Sequence, residues 1–389
     1  MFWLIGLYSI FANFAHPITP TFIQNLGLHD YMFGVAFAAM ATANFLFSPF
    51  WGNLSKNIGS TKIIGLGFIG YGVAQAIFGL STTELGIIIG RLIAGFFVAA
   101  IMVNQMIYII NNSRLEDRGR NLAISVMISS VISPLGFLIG GFLGDYSIPL
   151  TFFLQAVGLS LIGILNWLIL DDLPILRKSN WRQIAQDSNP IRVVFNAKGF
   201  MTTLLISFLI VAVFTSFAST SYDQCFNYFI KDQYGFPPSY NGLLKAAVGF
   251  IVLFANLSIG MWLLKKTDIS KTIIYVLIVC MFMMVGIVMI DEIIPFIIIN
   301  VIFFGFNAIY LPMLQTILAR FTKTDGGVLV GLFNSANSFG MIGGSLFAGF
   351  IYEFGPKLSF VSSGIAFFIS VIFAIVFYRQ LKNSKTEII

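Results

Sequence analysis

Residues 200–229 read FMTTLLISFLIVAVFTSFASTSYDQCFNYF, and Asp223 is the one residue among them that is charged at neutral pH. As a helix rising about 1.5 Å per residue, the run is long enough to cross the roughly 30 Å hydrocarbon layer of a bilayer. Asp223 would then lie about eight residues, or ~12 Å, below the outer end of that helix. A carboxylate at such a depth is costly, so it is first of all a functional-site candidate.

The rest of the chain has the same solvent. It has 389 residues, 58% hydrophobic and 10% charged, with a mean hydropathy of +0.91. A water-soluble domain of this size cannot hide so much apolar surface. Hydropathy marks twelve spans, near 1–24, 31–53, 62–80, 85–110, 119–144, 150–170, 200–229, 240–264, 271–290, 293–318, 328–352 and 358–378. Residues 1–24 read as the first span, not as a removable signal. The alternating ten-residue strands of a membrane barrel are not seen.

The net charge of +6 follows membrane topology and not nucleic acid. With the N-terminus inside, 18 of the 22 Lys and Arg fall in cytoplasmic segments and only Lys231 and Lys357 fall outside, while Arg91 and Lys245 lie within spans. Acids show no such bias, as the positive-inside rule expects, so both termini are expected in the cytoplasm. Cys225 and Cys280 fall in spans and form neither a disulfide framework nor a metal set, and no metal or cofactor is expected. No nucleophile elbow, phosphate loop or metal-spaced His cluster points to an enzyme.

The longest hydrophilic stretch, 171–198, divides the spans six and six. The expected organisation is an N-terminal six-helix bundle over 1–170, a cytoplasmic linker over 171–198, and a C-terminal six-helix bundle with a short tail over 199–389. The fold class is all-α integral membrane, with twelve helices in two pseudo-symmetric bundles. A faint repeat agrees: Gly27, Gly34, Ala38, Ala39 and Gly52 recur 208 positions later as Gly235, Gly242, Ala246, Ala247 and Gly260. Small residues let helix backbones approach closely in lipid, and parallel duplication is one way transporters build two halves around a midplane site.

Several motifs carry a family likeness. Between spans two and three stands Ser48-Pro49-Phe50-Trp51-Gly52-Asn53-Leu54-Ser55-Lys56-Asn57-Ile58-Gly59. Span four holds Arg91-Leu92-Ile93-Ala94-Gly95, and span one holds Pro17 and Pro20 followed by Leu26-Gly27-Leu28. Phe304-Gly305-Phe306-Asn307, Pro312 and Gly331-Leu332-Phe333-Asn334-Ser335 follow in spans ten and eleven. Together they resemble the major facilitator superfamily, and within it the twelve-span drug:proton antiporters. The resemblance implies the major facilitator fold and alternating access. Gly52, Lys56 and Gly59 then belong to the gating loop, and Pro134, Gly140 and Gly141 to the gating segment of span five. Lys56 stands where the family's loop has an acid, Pro134 lies three residues upstream of the family's proline, and Asn307 replaces an acid found in some relatives. A Lys facing the positive end of span eleven gains a repulsion, so the loop should hold the inside-closed state less firmly.

Subtracting 208 from 223 gives Ala15, next to His16, so His16 and Asp223 are expected to face one cavity. Asp223, with His16 and Arg91 as tuners, forms the proton-coupling set. Asp223 also reads as a salt-bridge partner of Lys245 or Arg91, Arg91 as a brace for span four, and Lys245 as a structural or snorkelling side chain. His16 also reads as a plain interhelical hydrogen-bonder. Asn307 and Asn227 are expected to contact substrate, with Phe14, Phe226 and Phe303 as an aromatic wall. The expected activity is proton-driven efflux of small amphipathic compounds, cationic ones especially. It would reside in a bacterial cytoplasmic membrane, in a monomer whose partners are substrate, protons and lipid. A metabolite symporter or facilitator, a lipid-like flippase and, more distantly, a non-transporting receptor are the alternatives.

Overall fold

The computed structural model describes residues 1–114, 116–171, 202–321 and 326–386. The expected linker over 171–198 lies almost wholly outside them. Every regular element among the described residues is a helix. They are α1 (Phe2–Ala12), α2 (Ala15–Asn25), α3 (Met32–Ile58), α4 (Ser60–Leu80), α5 (Glu84–Asn111), α6 (Arg118–Tyr146), α7 (Ile148–Ile169), α8 (Thr203–Tyr234) and α9 (Pro238–Ala255). A π-helical turn (Asn256–Gly260) follows, then α10 (Met261–Lys266), α11 (Ile269–Met289), α12 (Ile293–Phe321), α13 (Gly326–Tyr352) and α14 (Leu358–Thr386).

Ten segments among the described residues are long and apolar enough to cross a membrane, with α9, the π turn and α10 counting as one. The pair α1–α2 and the helix α13 bring the total to the twelve expected spans. Span one is not the single helix that hydropathy suggests: it breaks at Asn13–Phe14. Pro17 and Pro20 explain part of this, because neither has an N–H to give to the carbonyl four residues back. In lipid, each carbonyl so freed needs another donor. Asn227 Nδ2 serves His16 O, the carbonyl that Pro20 frees, at 3.2 Å, and Gln155 Nε2 serves Ala12 O, at the end of α1, at 3.1 Å.

Contacts divide the chain into two compact units, Met1–Pro190 with Asn227–Gly249, and Ile191–Phe226 with Phe250–Ile389. The core of the first joins Leu4, Phe68, Tyr71, Ala94, Ile101 and Leu159 across α1, α4, α5 and α7. In the second, Tyr222 stacks among Phe226, Phe303, Phe304 and Phe360, and its hydroxyl donates to Asn300 Oδ1.

The repeat is visible in the backbone. Gly27 and Gly235 both take a left-handed backbone, with φ of 64° and 66°, just after α2 and α8. Gly136 and Gly140 of α6 lie against the backbone of Ile10 and Phe14, and Gly340 and Gly344 of α13 lie against that of Val213 and Phe217. A side chain at any of these four would meet main chain, so glycine is what allows the close crossing.

Candidate functional site

The first unit holds a cavity of about 570 Å³ between α1–α2, α3, α4, α5 and α6. α1–α2 contribute Tyr8, Ser9, Asn13 and His16, α3 contributes Met40, and α4 contributes Tyr71. α5 contributes Met102, Gln105 and Met106, spaced so that they share one face, and α6 contributes Ser125, Ser129, Ser130 and Ser133. Ser125 and Ser130 donate to Leu122 O and Val126 O, and Asn13 Nδ2 donates to Ser9 O, so their remaining oxygen lone pairs are left to accept. The buried Gln105 Nε2 has no hydrogen-bond partner among the described residues. The mix of apolar surface and a few placed polar groups is that of a small-molecule site.

Arg91 sits behind this chamber. It is 6% exposed, its Cζ lies 3.8 Å from the centre of the Phe78 ring, and its Nη2 donates to Thr19 Oγ1 at 3.4 Å. Nη1 lies 3.9 Å from Met40 Sδ, which ties the guanidinium to a wall residue. His16 lines the chamber, with its ring 5.5 Å from that of Phe137, edge to face.

The same unit is clasped by the C-terminal end of α8 and the start of α9. Asn241 Nδ2 donates to Pro17 O at 3.3 Å and to Asn227 O at 3.4 Å. Asp145 accepts from Ser239 N at 3.0 Å, Gln24 Nε2 donates to Asp232 at 3.2 Å, and the Tyr228 hydroxyl donates to Asp30. Gln24 and Asp232 stand 208 positions apart, the same spacing as the repeat. At Gly141 a methyl group would lie 3.1 Å from the Cα of Gly242, so small residues set the α6–α9 crossing, and Pro134 packs on Gly249.

In the second unit, Asp223 is half-buried on α8. Ser216, Ser219 and Asp223 follow at intervals of three and four and share one helix face, which Asn227 extends by a further turn. Ser216 Oγ donates to Asn337 at 2.7 Å, and Asn307 Nδ2 donates to Ser219 Oγ at 2.9 Å. Asn307 Oδ1 is buried without a hydrogen-bond partner among the described residues. A polar ladder therefore runs along α8 to the turn that carries Asp223, with Asn307 of α12 attached one turn below it.

The expected site residues separate accordingly. His16 joins the chamber, and Arg91 stands behind it. Asn307 meets the α8 stripe, whereas Asn227 spends its amide nitrogen on span one. Phe14, Phe226 and Phe303 are at most 4% exposed, so they pack within their units and present no open aromatic wall. Gly52 lets α5 approach α3, a methyl there lying 3.2 Å from Val103. Gly59 (φ 98°) makes the turn from α3 to α4, and the side chain of Lys56 is outside the described ones. The chamber residues Tyr8 and Tyr71 went unnoticed in the sequence, and Gln105 reads there as one of several polar residues that join helices. The signal for one wall was there, in Ser125, Ser129 and Ser133 at intervals of four within an apolar span.

The profile of the Major Facilitator Superfamily matches residues 1–306. The chain belongs to the major facilitator superfamily. It is a multi-pass membrane transporter of that superfamily, and its relatives include multidrug resistance proteins. Multidrug resistance protein 2 of Bacillus subtilis is 24% identical over 99% of this chain and 97% of its own length. Quinolone resistance protein NorA of Staphylococcus aureus (strain COL) is 21% identical over 91% of this chain and 89% of its own. Among solved structures, a bacterial homologue of the human lysosomal transporter Spinster aligns with a TM-score of 0.76 at 13% identity, covering 97% of this chain and 95% of that one. Nucleoside transporter NupG aligns at 0.73 and 14% identity, over 98% of each chain. At these identities the structures speak for the fold, which they share with this transporter.

Proposed function

We propose that the chain exports small amphipathic, drug-like compounds in exchange for protons, by alternating access. It would do so as a monomer in a bacterial cytoplasmic membrane, with both termini inside and without catalysing a chemical reaction. Its two working halves are 1–170 and 199–389, joined by the linker 171–198. The drug-resistance proteins among its relatives support export, and the distribution of Lys and Arg supports the orientation. One observation carries the reading: a half-buried carboxylate, Asp223, on a polar stripe of a helix long enough to cross the bilayer.

Substrate occupies the chamber of the first unit, and Asp223 carries the proton, tuned by His16 and Arg91. Facing outward, Asp223 takes a proton and substrate leaves. The neutral carboxyl tolerates occlusion, since a buried charge without a partner is expensive. Facing inward, it releases the proton to the less acidic cytoplasm. The membrane potential adds about 2.3 kcal/mol per charge per 100 mV. Gly52, Lys56, Gly59, Pro134, Gly140 and Gly141 shape the moving contacts.

The test is Asp223→Asn in proteoliposomes loaded with a fluorescent amphipath. Efflux driven by a pH gradient should vanish, while exchange of labelled for unlabelled substrate persists. Full gradient-driven efflux by the variant would refute the assignment. Uptake of labelled metabolites, with no drug-sensitivity change in an efflux-deficient host, would favour the symporter reading.

A further inference from the structure

We propose that Arg91 sets the charge selectivity of the chamber, so that it takes aromatic amphipaths bearing a carboxylate and rejects permanent cations. This rests on the chamber being the substrate site. It reverses the sequence expectation of cationic substrates, which drew only on Asp223, a residue of the second unit.

Among the described residues lining the chamber there is no Asp, Glu, Lys or Arg, and His16 is the only basic group. The full charge tied to its wall is therefore that of Arg91. The guanidinium is held by an aromatic face, a hydroxyl and a thioether, and no carboxylate pairs with it among the described residues. Its Nε is buried without a hydrogen-bond partner among the described residues. A buried charge with no local counterion projects its field into a neighbouring low-dielectric space, where it weighs far more than in water. That field reaches the chamber through Met40, which touches the guanidinium, and Tyr71, which lies within its electrostatic reach.

The donors agree with the field. Tyr71 Oη accepts from Gln75 Nε2 at 3.4 Å, leaving its own proton to give, and Gln105 Nε2 is buried with no acceptor. A carboxylate satisfies both. A trimethylammonium group has no N–H to offer the serine oxygens of α6 and meets the repulsion of Arg91 uncompensated.

The experiment measures binding of three naphthalenes, bearing a carboxylate, its methyl ester or a trimethylammonium group, to the full chain in nanodiscs, with empty nanodiscs subtracted. The carboxylate should bind about tenfold or more tightly than the ammonium, with the ester between them. Arg91→Met should bring the ratio close to one while keeping ester affinity, a change that a purely bracing role would not produce, and Arg91→Lys should retain the preference. Should Arg91→Met not fold, Thr19→Asp places a carboxylate beside the intact guanidinium and should remove the preference alone. Ser129→Trp, which fills the chamber, should abolish binding of all three. If the ammonium binds as tightly as the carboxylate, and Ser129→Trp abolishes both, the selectivity proposal is wrong and the chamber stands. If Ser129→Trp changes none of the affinities, the chamber itself is wrong as the substrate site.

Discussion

Export by alternating access requires the joined ends of α8 and α9 to leave the first six spans, and Asn241 is where that can be measured. Its side chain is 2% exposed, and its one amide nitrogen joins Pro17 O of span one to Asn227 O of α8. Asn241→Ala removes both bonds and leaves two carbonyls to find water. Only the bond to Pro17 crosses from α9 to span one, and hydrogen bonds between membrane helices average about 0.6 kcal/mol and reach about 1.7. Its loss corresponds to a shift of about 3–20-fold toward the opened clasp. The clasp should weaken without dissolving, because Asn227–His16, Ser239–Asp145, Gln24–Asp232 and Tyr228–Asp30 remain. The reporter is Ser239→Cys, at a position 8% exposed, after both native cysteines, themselves buried, are replaced by alanine. With a membrane-impermeant maleimide added outside, Asn241→Ala should raise the labelling rate of that cysteine by the same factor as the opening equilibrium. Equal rates with and without Asn241, in protein whose denatured form labels fast, would refute the clasp.

Gly140→Val and Gly344→Val should each lower thermal stability by about 1–3 kcal/mol or more, because the added methyls meet main chain at Phe14 and Phe217, which cannot retreat as a side chain would. Similar losses at both positions, read by thermal shift in detergent, are expected from their equivalent packing. A loss at one alone would argue against that equivalence. Tyr222→Phe leaves Asn300 Oδ1 without its donor in the aromatic core of the second unit. It should cost about 1–3 kcal/mol in the same assay, and Tyr222→Phe combined with Asn300→Leu should recover most of it.

Much of the fold was legible because lipid imposes so few choices. Length and apolarity mark a spanning helix, and Lys and Arg mark its inner end. What hydropathy could not see was where a helix breaks. The division at Asn13–Phe14 depends on Gln155 and Asn227 being in place to take up freed carbonyls, and those partners are more than a hundred residues away. The chamber was hidden for a related reason. Tyr71, Gln105 and Met40 are ordinary residues of apolar spans, and only the packing of α3, α4 and α5 brings them around one space. Buried phenylalanines misled in the opposite sense, since aromatic content alone cannot distinguish a ligand wall from a core.

The repeat gives a sharper account of Asp223 than simple subtraction does. At the outer turns, Gly27 and Gly235 stand 208 positions apart. At the packing glycines, Phe14 corresponds to Phe217 and Ile10 to Val213, both 203 apart. Between these two markers α8 has five residues more than α1–α2, about one and a half helical turns. Asp223 lies in that interval, so the counterpart of His16 is Gln224 on the outer register and Ser219 on the inner one. Ser219 is the residue that Asn307 holds. If the inner register reaches this level, His16 and the Ser219–Asn307 pair occupy equivalent places in the two repeats, and Asp223 belongs to the extra turns of α8. Its energetic coupling should then be with Asn307. Double-mutant cycles on the pH dependence of efflux, using Asp223→Asn with Asn307→Ala and Asp223→Asn with His16→Ala, separate the two registers. We expect a coupling above about 0.5 kcal/mol for the first pair and near-additivity for the second. The reverse pattern would restore the outer register and the direct pairing of Asp223 with His16.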